Sequence, residues 1–127
     1  MRKKIASPKK IFIIDDDKDI IDAMQTLFEN NGYDVETFLN GKRGIQQAIT
    51  SPPDIIVLDY FLPGENIKNI VEQLHSHYAT KNIPTILVSA SIISEEKIKE
   101  LQVNAFLAKP FHVDTLLQLM KKCIINR

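Results

Sequence analysis

Short apolar runs alternate with longer segments of helical periodicity along the chain. The clearest run covers residues 11–14 and is closed by the aspartates at 15–17, and another covers residues 55–58 and is closed by Asp59. Runs that are apolar on both faces are typical of strands buried in a parallel sheet. Residues 33–38 alternate in character instead, which favours a strand nearer the edge. The pattern predicts strands at residues 11–14, 33–38, 55–58, 84–88 and 105–108.

Between these strands, apolar residues recur at the spacing of a helix face. One predicted face consists of Ile20, Met24, Leu27 and Phe28, in a helix that ends near Gly32. Two further faces predict long amphipathic helices, formed by Ile67, Ile70, Val71, Leu74 and Tyr78 and by Val113, Leu116, Leu117, Met120 and Ile124. Shorter helices are predicted at residues 41–50 and 94–102. Strands that alternate with helices predict an α/β fold, a doubly wound five-stranded parallel sheet with helices on both faces.

Composition narrows the class of protein. A chain of 127 residues suits one domain, and its 16 basic and 16 acidic residues cancel to a formal net charge of zero. No excess charge therefore favours nucleic acid or a membrane surface as partner. The apolar runs are far shorter than the ~20 residues of a membrane helix, and the single Cys123 excludes an intrachain disulfide. We expect a cytoplasmic protein with a basic N-terminal tail at residues 1–9 and one domain at residues 10–127.

Polar side chains follow four of the predicted strands. Asp15 and Asp16 follow the first strand, Asp59 the third, Ser89 the fourth and Lys109 the fifth. Ligands of doubly wound sheets bind beyond the carboxyl ends of the strands, so we expect these side chains to meet at one edge. Clustered carboxylates repel one another unless a cation lies among them, and oxygen ligands alone favour Mg²⁺. If the site handles a phosphoryl group, one carboxylate can then act as a nucleophile and form an acyl phosphate.

Four motifs at these strand ends resemble those of two-component response-regulator receiver domains. They are Ile11-Phe12-Ile13-Ile14-Asp15-Asp16-Asp17, Asp54-Ile55-Ile56-Val57-Leu58-Asp59-Tyr60-Phe61-Leu62-Pro63-Gly64, Val88-Ser89-Ala90 and Ala108-Lys109-Pro110-Phe111. The resemblance runs through residues 10–125 and implies a flavodoxin-like strand order of 2-1-3-4-5. It identifies the chain as a member of this family, and the length of 127 residues leads us to expect a stand-alone, single-domain protein.

The resemblance also implies a role for each motif residue. Asp59 is expected to be the phosphoacceptor, and Lys109 the cation that bridges the phosphoryl group to the acidic cluster. Ser89 is expected to be the switch hydroxyl, with Phe106 as the aromatic switch residue. The expected ligands of Mg²⁺ are Asp15, Asp16, Asp59 and the backbone carbonyl of Phe61.

The resemblance to receiver domains implies a phosphorelay signalling protein. Its phosphoryl donor would be a phosphohistidine on a sensor histidine kinase or on a histidine phosphotransfer protein. Its output would pass through contacts with a downstream protein target, which the sequence does not name. We expect self-catalysed phosphoryl acceptance and autodephosphorylation, and no turnover of a separate substrate as in an enzyme. The bulky Phe61 predicts slow loss of the phosphoryl group, because it can shield the acyl phosphate from water.

Two other classes of function stay open. An aspartyl phosphatase of the haloacid-dehalogenase type would also use an aspartate and Mg²⁺, but it needs a second acid where this chain has Phe61. A degenerate receiver that binds proteins without phosphorylation is the stronger alternative. Two departures from the family pattern favour it: Ile67 stands where glycine is usual, and Val103-Asn104 replaces a common glycine before Ala105.

Helix capping explains one of the three clustered aspartates at 15–17, and Asp17 is the best placed of them to be the N-cap.

Overall fold

Strands and helices alternate along residues 8–125, the part of the chain that the computed structural model describes. The strands are β1 (Lys10–Ile14), β2 (Asp34–Phe38), β3 (Ile55–Asp59), β4 (Thr85–Ser89) and β5 (Ala105–Ala108). The helices are α1 (Lys18–Asn30), α2 (Gly41–Thr50), α3 (Ile67–Ser76), α4 (Glu95–Leu101) and α5 (Val113–Ile125). The proposed basic tail at residues 1–9 falls mostly outside the described residues.

The strands form one parallel sheet in the order β2-β1-β3-β4-β5. The predicted doubly wound fold and its strand order are therefore confirmed. Strands β3 and β4 are buried along their whole length, whereas β2 lies at the edge and is mostly half-buried, as its alternating pattern predicted. None of the helices in the described residues is long and apolar enough to cross a membrane.

The sheet separates two apolar cores, because successive residues of a strand point to opposite faces. Ile11 and Ile13 of β1 belong to the core that α1 and α5 cover. Phe12 and Ile14 belong to the core beneath α2 and α3. All four residues are at most 1% exposed, which explains why β1 is apolar without alternation.

Two details of the predicted helix faces are wrong. In α1 the buried residues are Ile21, Met24 and Phe28, while Leu27 is 38% exposed. Tyr78 is 86% exposed and lies beyond the end of α3 at Ser76. The helix stops early because the buried Thr80 folds back, and its hydroxyl donates a hydrogen bond of 2.6 Å to the carbonyl of Leu74.

Candidate functional site

The carboxyl ends of the parallel strands bring the predicted polar residues to one edge of the sheet. Asp59 and Ser89 are the last residues of β3 and β4. Asp15 and Lys109 directly follow β1 and β5. Each of these four strands ends at or just before the polar residue that it contributes to the site, so the apolar runs position the polar residues as well as the core.

Lys109 joins two of the aspartates at this edge. Its Nζ lies 2.9 Å from Oδ2 of Asp15 and 3.7 Å from Oδ2 of Asp59. The side chains of Asp15 and Asp59 are only 3% and 10% exposed, so both carboxylates are largely removed from water. Burying two carboxylates is costly without a cation, and the ammonium of Lys109 supplies one positive charge against two negative ones.

Backbone amides orient the two buried carboxylates. The amide of Asp17 donates to Oδ1 of Asp15 at 2.9 Å, and the amide of Phe61 donates to Oδ1 of Asp59 at 3.4 Å. Asp17 is also the N-cap of α1, where its side chain accepts from the amides of Asp19 and Ile20, as the capping argument predicted.

The electrostatics single out Asp59. Its pKa is raised from 3.8 to about 6, chiefly because burial disfavours the charged carboxylate and then because the negative charge of Asp15 repels it. The ammonium of Lys109 and the amide of Phe61 act in the opposite direction and offset only part of this rise. The site therefore carries too little positive charge for its carboxylates, which is the condition that favours a bound cation.

The donor set fits a hard divalent cation. Carboxylate oxygens of Asp15, Asp16 and Asp59 all lie within 4.8 Å of one another. Asp16 is exposed whereas the other two are buried, so the cluster opens to solvent on one side. Mg²⁺ prefers oxygen ligands and usually keeps several bound waters, for which an open site leaves space. Asp16 and Asp59 line an open cleft of about 380 Å³ together with Phe61 and Lys109, and we refer to it as the cation cleft. The role of the Phe61 carbonyl as a ligand stays a prediction.

Ser89 and Phe106 lie on the neighbouring strands β4 and β5. Ser89 is fully buried, and its Oγ accepts a hydrogen bond of 3.0 Å from the amide of Ser91. The carbonyl of Ser89 accepts from the amide of Lys109 at 2.8 Å, which ties the ends of β4 and β5 together. Phe106 pairs with Leu87 in the sheet register and is partly buried against the core beneath α2 and α3.

The two departures from the family pattern are accommodated in the backbone. Ile67 is the first residue of α3, and Asn66 is its N-cap, whose side chain accepts from the amide of Asn69. Before β5, the left-handed conformation falls on Gln102, with φ of 58°, and not on Val103. The side chain of Asn104 contacts the start of β4, since its Oδ1 accepts a hydrogen bond from the amide of Thr85 at 2.9 Å. Neither departure removes a group from the cleft.

Sequence reasoning missed Glu65. Its carboxylate accepts hydrogen bonds from the amides of Gly41 and Lys42, at 2.8 and 3.0 Å, and it lines the same cleft as Asp59. An acid shortly after a Pro-Gly pair resembles ordinary loop chemistry, and no pattern in the sequence indicates a partner 24 positions away.

The family model described as "Response regulator receiver domain" matches residues 11–121. The chain belongs to the response-regulator receiver family. This receiver domain resembles RpaA of Synechocystis sp., a DNA-binding dual master transcriptional regulator, at 34% identity over 110 residues, which are 85% of this chain and 46% of RpaA. The response regulator ArlR of Staphylococcus saprophyticus is 30% identical over 110 residues, 85% of this chain and 49% of ArlR.

A solved structure agrees with the sequence relatives. The receiver domain of the Francisella response regulator 1452 has a TM-score of 0.82 at 29% identity and covers 93% of this receiver and 98% of its own chain. The receiver described here spans about half the length of the curated relatives that it matches. Its class of function is that of a response-regulator receiver domain in two-component signalling, in a family whose members bind Mg²⁺ at an acidic pocket.

Proposed function

We propose that this receiver accepts a phosphoryl group on Asp59 in an Mg²⁺-dependent reaction. The observation that carries the proposal is the placement of the Asp59 carboxylate, within 4.8 Å of Asp15 and Asp16 oxygens and 3.7 Å from the Lys109 ammonium. Asp15, Asp16 and Asp59 would hold the metal, with the Phe61 carbonyl as a further ligand. When bound, Mg²⁺ would neutralise negative charge on the phosphoryl oxygens.

The chain's own groups would perform the transfer. An oxygen of Asp59 attacks phosphorus, the bond from phosphorus to the imidazole nitrogen of a phosphohistidine breaks, and the histidine leaves. Lys109, already paired with both buried carboxylates, would move its ammonium toward the new phosphoryl oxygens. Ser89 would turn its hydroxyl from the Ser91 amide toward the phosphoryl group, and Phe106 would move into the space behind it.

The partners follow from this chemistry. The donor would be a sensor histidine kinase or a histidine phosphotransfer protein, in the cytoplasm, and the output would be a change in protein contacts. We propose no catalysis beyond self-phosphorylation and autodephosphorylation. The stand-alone architecture stays a prediction, as do the bounds of the tail and domain, because curated relatives such as RpaA are about twice this length.

The test is the intact mass of the chain after incubation with acetyl phosphate, with and without Mg²⁺. Wild type should gain one phosphoryl group only with Mg²⁺, and Asp59→Ala should gain none. Asp34→Ala is the matched control, since it removes an exposed aspartate at the start of β2, and should label like wild type. Labelling of Asp59→Ala at the wild-type level would overturn the site. Absence of labelling from both acetyl phosphate and a phosphohistidine protein, with no Mg²⁺ binding, would favour the phosphorylation-independent binding module.

A further inference from the structure

The side chain of Glu65 connects the loop after β3 to the first turn of α2. Its two carboxylate oxygens each accept one backbone amide, Oε2 from Gly41 at 2.8 Å and Oε1 from Lys42 at 3.0 Å. The first amides of a helix have no partner within the helix, and the helix dipole favours a negative charge there. A carboxylate shared between two such amides forms charge-assisted hydrogen bonds, which are stronger than neutral ones.

The rest of the first turn of α2 does not depend on Glu65. The side chain of Asn40, the N-cap, accepts from the amide of Arg43 at 2.9 Å. Its carbonyl accepts from the amide of Gly44 at 3.3 Å. Two capping groups therefore act on one helix end: Asn40 from the adjoining backbone and Glu65 from a distant loop.

Gly41 is closely approached by Glu65 of the loop and, still more closely, by Ile70 of α3. A Cβ on Gly41 would lie 3.1 Å from Oε1 of Glu65 and 2.6 Å from Cδ1 of Ile70. The contact is thus a packed junction between the loop, α2 and α3.

The backbone of Glu65 ends a short turn, residues 62–65, that connects back to Asp59. The amide of Glu65 donates to the carbonyl of Leu62 at 3.0 Å, and Gly64 within the turn has φ of 75°. Leu62 is only 4% exposed and anchors the turn in the core. Phe61, directly before it, donates its amide to Asp59. Residues 61–65 thus form one wall of the cation cleft, the loop wall. Three contacts hold it: the hydrogen bond to Asp59, the burial of Leu62 and the hydrogen bonds of Glu65.

We propose that Glu65 is a positioning residue, whose carboxylate fixes the loop of residues 61–65 on α2 and so sets the loop wall of the cation cleft. This inference rests on the proposed Mg²⁺-dependent function and extends it to a residue outside the four motifs. Without the carboxylate, the loop keeps its core anchor at Leu62 but loses its outer attachment, and the metal ligands beside it lose their fixed geometry.

Calorimetric titration of the full chain with MgCl₂ tests the proposal. Glu65→Ala should raise the Mg²⁺ dissociation constant about tenfold, the lower end of the range for groups that support metal ligands. Glu65→Gln, which keeps an oxygen acceptor at the same reach, should recover part of that loss. Asn40→Ala is the matched control, because it removes a cap of the same helix and should lower the melting temperature while leaving the Mg²⁺ dissociation constant unchanged. Glu72→Ala, at an exposed position of α3, controls for the loss of one negative charge.

The outcomes separate the possible explanations. An unchanged dissociation constant in Glu65→Ala would overturn the proposal, and so would equal weakening by Asn40→Ala, which would indicate helix integrity alone. Equal weakening by Glu65→Ala and Glu72→Ala would assign the effect to net charge and also overturn it. If wild type failed to bind Mg²⁺, the proposed function would fail. Amide hydrogen exchange at Phe61 in the metal-free chain would then decide the loop contact: faster exchange in Glu65→Ala supports it, and unchanged exchange refutes it.

Discussion

Lys109 and Asp15 are 94 positions apart in the chain, and Nζ of the first lies 2.9 Å from Oδ2 of the second. Because the same ammonium also lies 3.7 Å from Asp59, one cation balances two buried carboxylates. Removal of that cation should therefore affect both stability and metal binding.

Replacement of Lys109 by methionine should destabilise the metal-free chain, by about 2–4 kcal/mol at neutral pH, because it leaves two buried carboxylates without their ammonium partner. Saturating Mg²⁺ should restore much of this loss, since the metal binds the same oxygens in the folded state only. Urea unfolding with EDTA or MgCl₂ measures both effects. Lys18→Met removes an exposed ion pair with Asp22 and should change the free energy of unfolding by less than about 1 kcal/mol. Equal losses in the two variants would contradict the argument.

The raised pKa of Asp59 predicts a pH-dependent penalty on folding. The folded chain keeps the Asp59 proton up to about pH 6, whereas the unfolded chain releases it near 3.8. The contribution of this group to stability is therefore present at low pH, declines as the pH rises from about 4 to about 6, and is absent above that. Asp59→Asn avoids the decline, so without metal it should exceed wild type by about 2 kcal/mol at neutral pH.

Urea unfolding in EDTA at several pH values checks the prediction for Asp59→Asn. Its advantage should shrink toward zero near pH 4 and disappear at neutral pH when Mg²⁺ is added to wild type. Asp34→Asn, at an exposed position of the edge strand β2, serves as the control. A constant difference between Asp59→Asn and wild type across this pH range would refute the assignment of the pKa.

Phe61→Ala should speed autodephosphorylation several-fold. Phe61 is 61% exposed, its ring contacts Tyr60 edge-on with ring centres 5.2 Å apart, and the residue lines the cleft beside Asp59. Its removal widens the path of water to the acyl phosphate. The rate is measured as loss of the phosphorylated mass after removal of the donor. Tyr78→Ala, at an exposed aromatic residue outside the cleft, should leave the rate unchanged, and the same rate in Phe61→Ala and wild type would end this hypothesis.

Gly44→Ala should lower the free energy of unfolding by about 1–3 kcal/mol, although alanine usually favours a helix. A Cβ at this position would lie 2.5 Å from Cδ1 and 2.9 Å from Cγ1 of Ile14, which is fully buried directly before Asp15. Thermal and urea unfolding measure the change. Gln46→Ala on the exposed side of α2 should be neutral or slightly stabilising. A stabilised Gly44→Ala variant would show that Ile14 moves aside at little cost.

Much of the site could be predicted because the carboxyl ends of parallel strands lie side by side at one edge of the sheet. The acids at 15, 16 and 59 and the lysine at 109 each follow an apolar run, and parallel strands place those ends at one edge. The buried face of each helix was harder to predict, since several apolar residues can share a helical spacing. Leu27 and Tyr78 fit the spacing but are exposed, because packing against the sheet and the turn at Thr80 decide which side is covered and where a helix ends.

The sequence by itself determined the parallel α/β fold, the strand order through family resemblance, and the identity of the groups at the cleft. These depend on local apolar patterns and on motifs that are continuous in the chain. Only the tertiary structure decided the contact of Glu65 with α2 and the proton affinity of Asp59. Both depend on distances between segments remote in sequence and on burial, which determines the strength of a charge interaction. No local pattern contains that information.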